Sequence, residues 1–317
     1  MNRFATVCAA FRIVCARMGF VGVLGMALVA LGGLLPPAAA LARSDTHASG
    51  GGAIVYIHTA TPSNSIYDWT DLDNPVTNNN PRAIVFVTPN WNPNGGGGIY
   101  DNHPIGVWYH GGKWAIFNQD LTAIPNGAAF NVYALPNSSY TGVFVHSATQ
   151  SNIAANFTDF SSRLSNNNPR ALIIVTPNWN PNGVGGIYDN HPIGVWYHGG
   201  KWSIFNQDLA AMPVGASFNV YVFSYQVYGA FRHTADPNNS VYDWTYLNHP
   251  VTNNNPKALV FTTPSYYPNS VYNNHNIGVW YYNSQWAIFN QDLSAVPNGA
   301  SFNVLAFYSP YSPYQKK

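Results

Sequence analysis

The sequence predicts an all-β protein of three tandem units of about 88 residues, each a β-sandwich or small β-barrel, behind an N-terminal signal peptide. Three observations lead there. Residues 78–120 and 166–208 are identical at 38 of 43 positions, and a more diverged copy follows at 253–292. Each copy is built of short segments rich in β-branched and aromatic residues, bounded by Pro, Gly and Asn. No stretch after residue 42 has helical periodicity of useful length.

Residues 1–42 have the layout of an export signal. Arg3, Arg12 and Arg17 precede an uncharged apolar run at 20–35, Pro36 and Pro37 break it, and Ala40-Leu41-Ala42 offers a small-x-small cleavage site. The mature chain then starts near Arg43, and the location expected is secreted or cell surface, with the periplasm possible. A retained anchor is the competing reading, because the apolar run is near the lower length for a membrane span. No later segment is long and apolar enough to span, so no membrane span is expected after signal cleavage. Both cysteines, Cys8 and Cys15, fall inside the signal, which excludes disulfides and thiolate chemistry from the mature chain.

The units are 54–139, 142–226 and 229–310, followed by a tail at 311–317. The third has lost three residues from the loop that holds Gly95, Gly96, Gly97 and Gly98 in the first. A period this long exceeds a propeller blade of about 40 to 50 residues and fits one small β domain. Inside each unit Trp69-x-x-Leu72-Asp73 echoes Trp114-x-x-Phe117-Asn118. The echo suggests two half-units related by a pseudo-twofold in a six-stranded sandwich or barrel; a closed propeller-like ring of six half-length repeats is the alternative.

In the first unit strands are expected at 54–58, 83–88, Ile105–His110, Lys113–Asn118 and Ala129–Leu135. Gly111-Gly112 is a two-residue turn of the composition that primed hairpins require, and it sets the register. His110 then faces Lys113, Tyr109 faces Trp114, Trp108 faces Ala115 and Val107 faces Ile116. Alternation puts Val107, Tyr109, Trp114 and Ile116 on a core face, and Trp108, His110, Lys113 and Phe117 on the other.

That second face supplies the first candidate site. A flat indole beside hydrogen-bonding groups suits a sugar ring, so Trp108 with His110, Trp196 with His198, and Trp280 are candidate ligand-binding residues. Packing of Trp108 against a second sheet or a neighbouring unit is the competing reading. The second candidate is the loop Pro89-Asn-Trp-Asn-Pro-Asn94, repeated in the second unit and changed to Pro-Ser-Tyr-Tyr-Pro-Asn in the third. It would carry Trp91, Trp179 and Tyr266 at the surface, where large aromatics suggest a use, or fold them back as lids over a strand end. The third is Asn118-Gln119-Asp120, repeated as Asn206 to Asp208 and Asn290 to Asp292. Asn118, Asp120, Asn206, Asp208, Asn290 and Asp292 can chelate a cation through oxygens, accept bonds from a ligand's hydroxyls, or close the turn after the strand. His58, His146 and His233, and His103, His191 and His275, recur in every unit and read as structural hydrogen-bonding groups, with a shared metal or catalytic role as the alternative.

Composition limits the chemistry. Only 8% of the 317 residues are charged, against about 25% in ordinary soluble domains. Every acid is Asp, so no mechanism needing Glu is available. From Arg43 onward 10 Lys and Arg stand against 12 Asp, a net charge of −2, while Asn occurs 38 times. Neither charge steering nor a basic nucleic-acid footprint is expected. There is no G-x-S-x-G elbow, and a two-carboxylate glycosidase needs two Asp per unit where only the Asp120 position is acidic in all three. No catalytic residues, cofactor or metal site are expected.

The run NHPIGVWYHGGKWAIFNQD at 102–120 resembles that of secreted bacterial proteins carrying tandem β repeats of uncharacterised function. The resemblance covers nearly all of the mature chain and implies a β-repeat fold; it brings no activity or site. The function expected from the residues is that of a secreted, lectin-like multivalent binder of carbohydrate or another neutral extracellular polymer, through aromatic and Asn-rich loops. Linking three weak sites raises avidity. The alternative is a structural or adhesive envelope or matrix protein that self-assembles through its repeats.

Overall fold

The computed structural model describes residues 47–49 and 52–308. The expected signal peptide and tail lie outside the described residues. The chain is all-β. In the first unit the strands are β1 (His47–Ser49), β2 (Ala53–Thr59), β3 (Ser65–Ile66), β4 (Trp69–Asp71), β5 (Ile84–Pro89), β6 (Ile105–His110), β7 (Lys113–Asn118) and β8 (Ala129–Leu135). The second has β9 (Val143–Ser147), β10 (Ile153–Ala154), β11 (Phe157–Phe160), β12 (Leu172–Pro177), β13 (Ile193–His198), β14 (Lys201–Asn206) and β15 (Ser217–Phe223). The third has β16 (Ala230–Thr234), β17 (Ser240–Val241), β18 (Trp244–Tyr246), β19 (Leu259–Ser265), β20 (Ile277–Tyr282), β21 (Gln285–Asn290) and β22 (Ser301–Phe307). No helix among the described residues is long and apolar enough to cross a membrane.

Each unit is a sandwich of two sheets. In the first, β2-β8-β5 form an inner sheet extended by β1, and β3-β4-β7-β6 an outer one. The hairpin register is the one its glycine turn dictates: Trp108 opposite Ala115 and His110 opposite Lys113, with Gly111 and Gly112 at φ 52° and 84°. Val107, Trp114 and Ile116 from the outer sheet meet Val85, Phe130 and Val132 from the inner one in a closed core. Trp114, Trp202 and Trp286, all fully buried, donate their indole N–H groups to the carbonyls of Asn80, Asn168 and Asn255.

The pseudo-twofold suggested by the tryptophan echo does not hold. Trp69 pairs with Phe117 across β4 and β7 and faces outward, whereas Trp114 faces the core. A three-residue strand must take its facing from the neighbour it pairs with. The six-blade ring is likewise replaced by three two-sheet units.

These units do not hang as beads. The inner sheets are buried on both faces, which explains the unbroken apolar run Ile84-Val-Phe-Val. Val85 and Val87 point into the unit's own core, while Ile84 and Phe86 join Ile174, Leu172, Phe261 and Leu305 in a central core shared by all three units. Each fully buried Ile, Leu or Phe contributes about 1.5–3 kcal/mol, so this shared core is a large part of what holds the chain together.

Hydrogen bonds close the ring. Val87 N donates to Thr176 Oγ1 (3.0 Å), Val175 N to Thr263 Oγ1 (3.0 Å), and Thr262 N back to Thr88 Oγ1 (3.2 Å). Fully buried Asn131, Asn219 and Asn303 donate in turn to the carbonyls of Val260, Val85 and Ile173. The third unit returns to the first on the same atoms that join the first to the second, so the chain is a closed pseudo-threefold ring. Its upper end is where β5, β12 and β19 finish; its lower end is where they begin and where the Gly-Gly turns lie.

Candidate functional site

The outward face of each outer sheet carries the densest group of functional side chains. In the first unit Trp108 stacks on His110, ring centres 4.1 Å apart, and Trp69 stands edge-on to Trp108 at 5.5 Å. His110 Nε2 is 2.9 Å from Asp71 Oδ1, which fixes the imidazole plane. In the second, Trp196 stacks on His198 at 3.9 Å beside Phe157, and His198 is bonded to Asp159 (3.1 Å) and Ser203 (2.7 Å). In the third, Trp280 stacks on Tyr282 at 5.1 Å beside Trp244. Trp69, Asp71, Asp159 and Trp244 escape sequence reasoning because β4 and its equivalents are too short to show a period of two. The i, i+2 spacing of Trp69 and Asp71 is the signal that places both on one face.

Trp91, Trp179 and Tyr266 belong to these same faces, but not as exposed loop aromatics. Each is half-buried and reaches across to the neighbouring unit: Trp91 stands edge-on to Trp280 at 5.7 Å, Trp179 to Trp108 at 5.9 Å, and Tyr266 to Trp196 at 6.2 Å. The loop has little choice, because its backbone is tied to the neighbour. Trp91, Trp179 and Tyr266 N–H donate to the carbonyls of Val279, Val107 and Val195. Asn92 adds both halves of a backbone-like pair, its Oδ1 accepting from Tyr281 N and its Nδ2 donating to Tyr281 O, each at 2.7 Å. Asn180 does the same to Tyr109.

Asn118, Asn206 and Asn290 have no exposed surface and lie outside any surface site. Asn118 Nδ2 donates to Asp101 Oδ1 (3.0 Å) and the Thr122 carbonyl (3.2 Å), and the following Gln119 accepts from Asp189 N in the next unit. A third-unit difference shows what this pair requires. There Asn273 and Asn290 exchange two amide bonds, of 2.7 and 3.1 Å. In the first two units the carboxyls of Asp101 and Asp189 leave one acceptor each, and Asn118 and Asn206 another, all buried without a partner. Burial pushes both carboxyls up to about 6, against the bond each accepts from its Asn.

Asp120, Asp208 and Asp292 are exposed and sit beyond the upper end of the hairpin, apart from the Trp108 face. Each accepts from the backbone N–H two residues on and is bonded to His103, His191 or His275 Nδ1 at 2.6 to 2.7 Å. These three histidines, with Thr88, Pro89, Ile105 and their equivalents, line a cavity of about 90 Å³ on the pseudo-threefold axis. Among the described residues no three His, Cys, Asp or Glu side chains are grouped to hold a metal ion. His58, His146 and His233 are buried and bonded to Thr70, Thr158 and Thr245; burial drives each down to about 4.

Fold and faces together define a class: an all-β, three-unit ring that repeats one aromatic outer face around a closed core. The chain belongs to the family described as a domain of unknown function, DUF7452, whose model matches residues 46–134, 113–222 and 224–306. No curated protein matches it.

Proposed function

We propose that the protein is a secreted, multivalent binder of carbohydrate or another neutral extracellular polymer, with one site on the outward face of each outer sheet. The observation that supports this most is the threefold recurrence of a stacked ring pair, Trp108 on His110, Trp196 on His198 and Trp280 on Tyr282. In two units a carboxylate holds the imidazole and offers an acceptor for a sugar hydroxyl. The closed ring spaces the three faces rigidly, and rigid spacing favours a repeating polymer because the second and third contacts become intramolecular. The export-like N-terminus and the resemblance to secreted bacterial tandem β-repeat proteins support an extracellular setting.

Glycan arrays and polysaccharide pull-downs of the mature protein test this reading. Retention on a neutral glycan is expected, weakened at least tenfold in a His110→Ala, His198→Ala, Tyr282→Ala variant that keeps its melting temperature. Absence of retention, or undiminished retention by that folded variant, defeats it.

A further inference from the structure

The net charge near zero conceals a separation along the ring axis. Arg82, Arg170 and Lys257 precede β5, β12 and β19 at equivalent points, Lys113 and Lys201 flank the glycine turns, and Arg163 lies in the loop after β11. All six are at the lower end. The seventh cation of the described residues, Arg232, is drawn into a joint between units, where Nη2 donates to the Ala171 carbonyl at 3.1 Å. No Lys or Arg among the described residues stands at the upper end, which holds eight of the eleven described Asp. Asp101 and Asp189 are buried there; Asp68, Asp120, Asp208, Asp236, Asp243 and Asp292 are partly or fully exposed. The three lower Asp are paired, Asp71 with His110, Asp159 with His198 and Asp73 with Lys113; at the upper end Asp120, Asp208 and Asp292 are each bonded to a histidine as well, His103, His191 and His275, but no Lys or Arg among the described residues stands beside them.

Exposed apolar side chains are sorted as well: thirteen of the eighteen large ones lie at the acidic upper end. The most telling are Leu121, Leu209 and Leu293, 48%, 61% and 46% exposed, each in left-handed backbone with φ of 61° to 65°. Tyr67 and Tyr242 beside them are about 70% exposed at φ 51° and 52°. Asn or Gly would fill such turns at less conformational cost. At the lower end the left-handed positions that are not glycine include Asn79, Asn167, Asn254, Asn283 and Ser284, all polar. An apolar residue kept three times where it is disfavoured both by solvent and by backbone marks a surface that is covered in use.

We propose that the covering partner is a second copy of this chain, its basic lower end seated on the acidic, leucine-bearing upper end of the first about a common axis. The two ends carry complementary charge in the same threefold arrangement, so three Asp-Leu corners meet three Arg or Lys corners at once. Such an interface is head to tail and does not close on itself, so copies stack in an open column. The outer faces point away from the axis and stay uncovered, so the column multiplies them whether or not they bind a polysaccharide.

Sedimentation velocity of the mature protein without ligand tests this. The average sedimentation coefficient is expected to rise with concentration at low ionic strength and to fall back in high salt, where exposed charges are screened. Two variants locate the interface: Leu121→Asn, Leu209→Asn, Leu293→Asn at the upper end, and Arg82→Glu, Arg170→Glu, Lys257→Glu at the lower. Each alone loses the concentration dependence, while their mixture, with one intact end on each partner, gives a one-to-one dimer and nothing larger. The Asn variant is expected to melt no lower than the parent, since Asn suits the left-handed turn. A parent that stays monomeric at low salt overturns the proposal, as does a lower-end variant that still associates with itself.

Discussion

Asp101 and Asp189 place a carboxyl where the third unit has Asn273, and the three sites are a natural comparison of one geometry with and without a titrating proton. The amide pair of Asn273 and Asn290 is reciprocal; a carboxylate can supply only half of it, and a protonated carboxyl can supply both. Folding raises these groups from 3.8 to about 6, so the stability they contribute is complete below pH 3.8 and lost as the pH rises through about 6. An Asp101→Asn, Asp189→Asn variant is therefore expected to be more stable than the parent at pH 8, by about 1–3 kcal/mol per site. The gain shrinks toward zero near pH 4, and urea denaturation at the two pH values measures it. An advantage that is equal at both would show that the proton is not involved. In the sequence these residues were legible as polar groups near turns. Their burial was not, because Gln119 and its equivalents seal them from the adjacent unit.

At the scale of elements, the Gly-Gly hairpin was the most readable part of the chain, since two left-handed glycines fix the register and alternation then assigns both faces. The loop after β5 was the least. Its Asn, Pro and Trp looked like surface composition, yet the segment is a strap whose backbone and side-chain amides pair with the neighbouring outer sheet. Asn92→Ala and Asn180→Ala each remove an acceptor and a donor from the backbone N–H and C=O of a half-buried tyrosine, and each is expected to lower the unfolding free energy by about 1–3 kcal/mol. Chemical denaturation checks this. The corresponding residue of the third unit, Tyr267, makes no such pair, so Tyr267→Ala tests loss of its ring contacts, with Tyr197, Trp202 and the Arg232 guanidinium. Polar and aromatic straps are indistinguishable from loops in a single sequence because their partners lie roughly 70 to 190 residues away.

For the molecule as a whole, the shared core makes the ring the unit of folding. A chain that ends after the second unit leaves Ile84, Phe86, Leu172 and Ile174 without the third side of their core, and is expected to be insoluble or to lack a cooperative melt. The complete chain is expected to unfold in a single calorimetric transition. Three resolved transitions, or a stable isolated first unit, would contradict ring closure. By itself the sequence determined the fold class, the threefold repetition, the hairpin register and the lack of Glu, because these follow from local composition, turn chemistry and self-similarity. Only the tertiary structure decided that the units close on one another, that Trp91 packs on the neighbouring unit while Asn118 is buried, and that charges cancelling in the total are separated between two ends. The physical reason is common to all three: each depends on which surfaces of distant segments face each other, and a period in the sequence says that units are alike without saying how they meet.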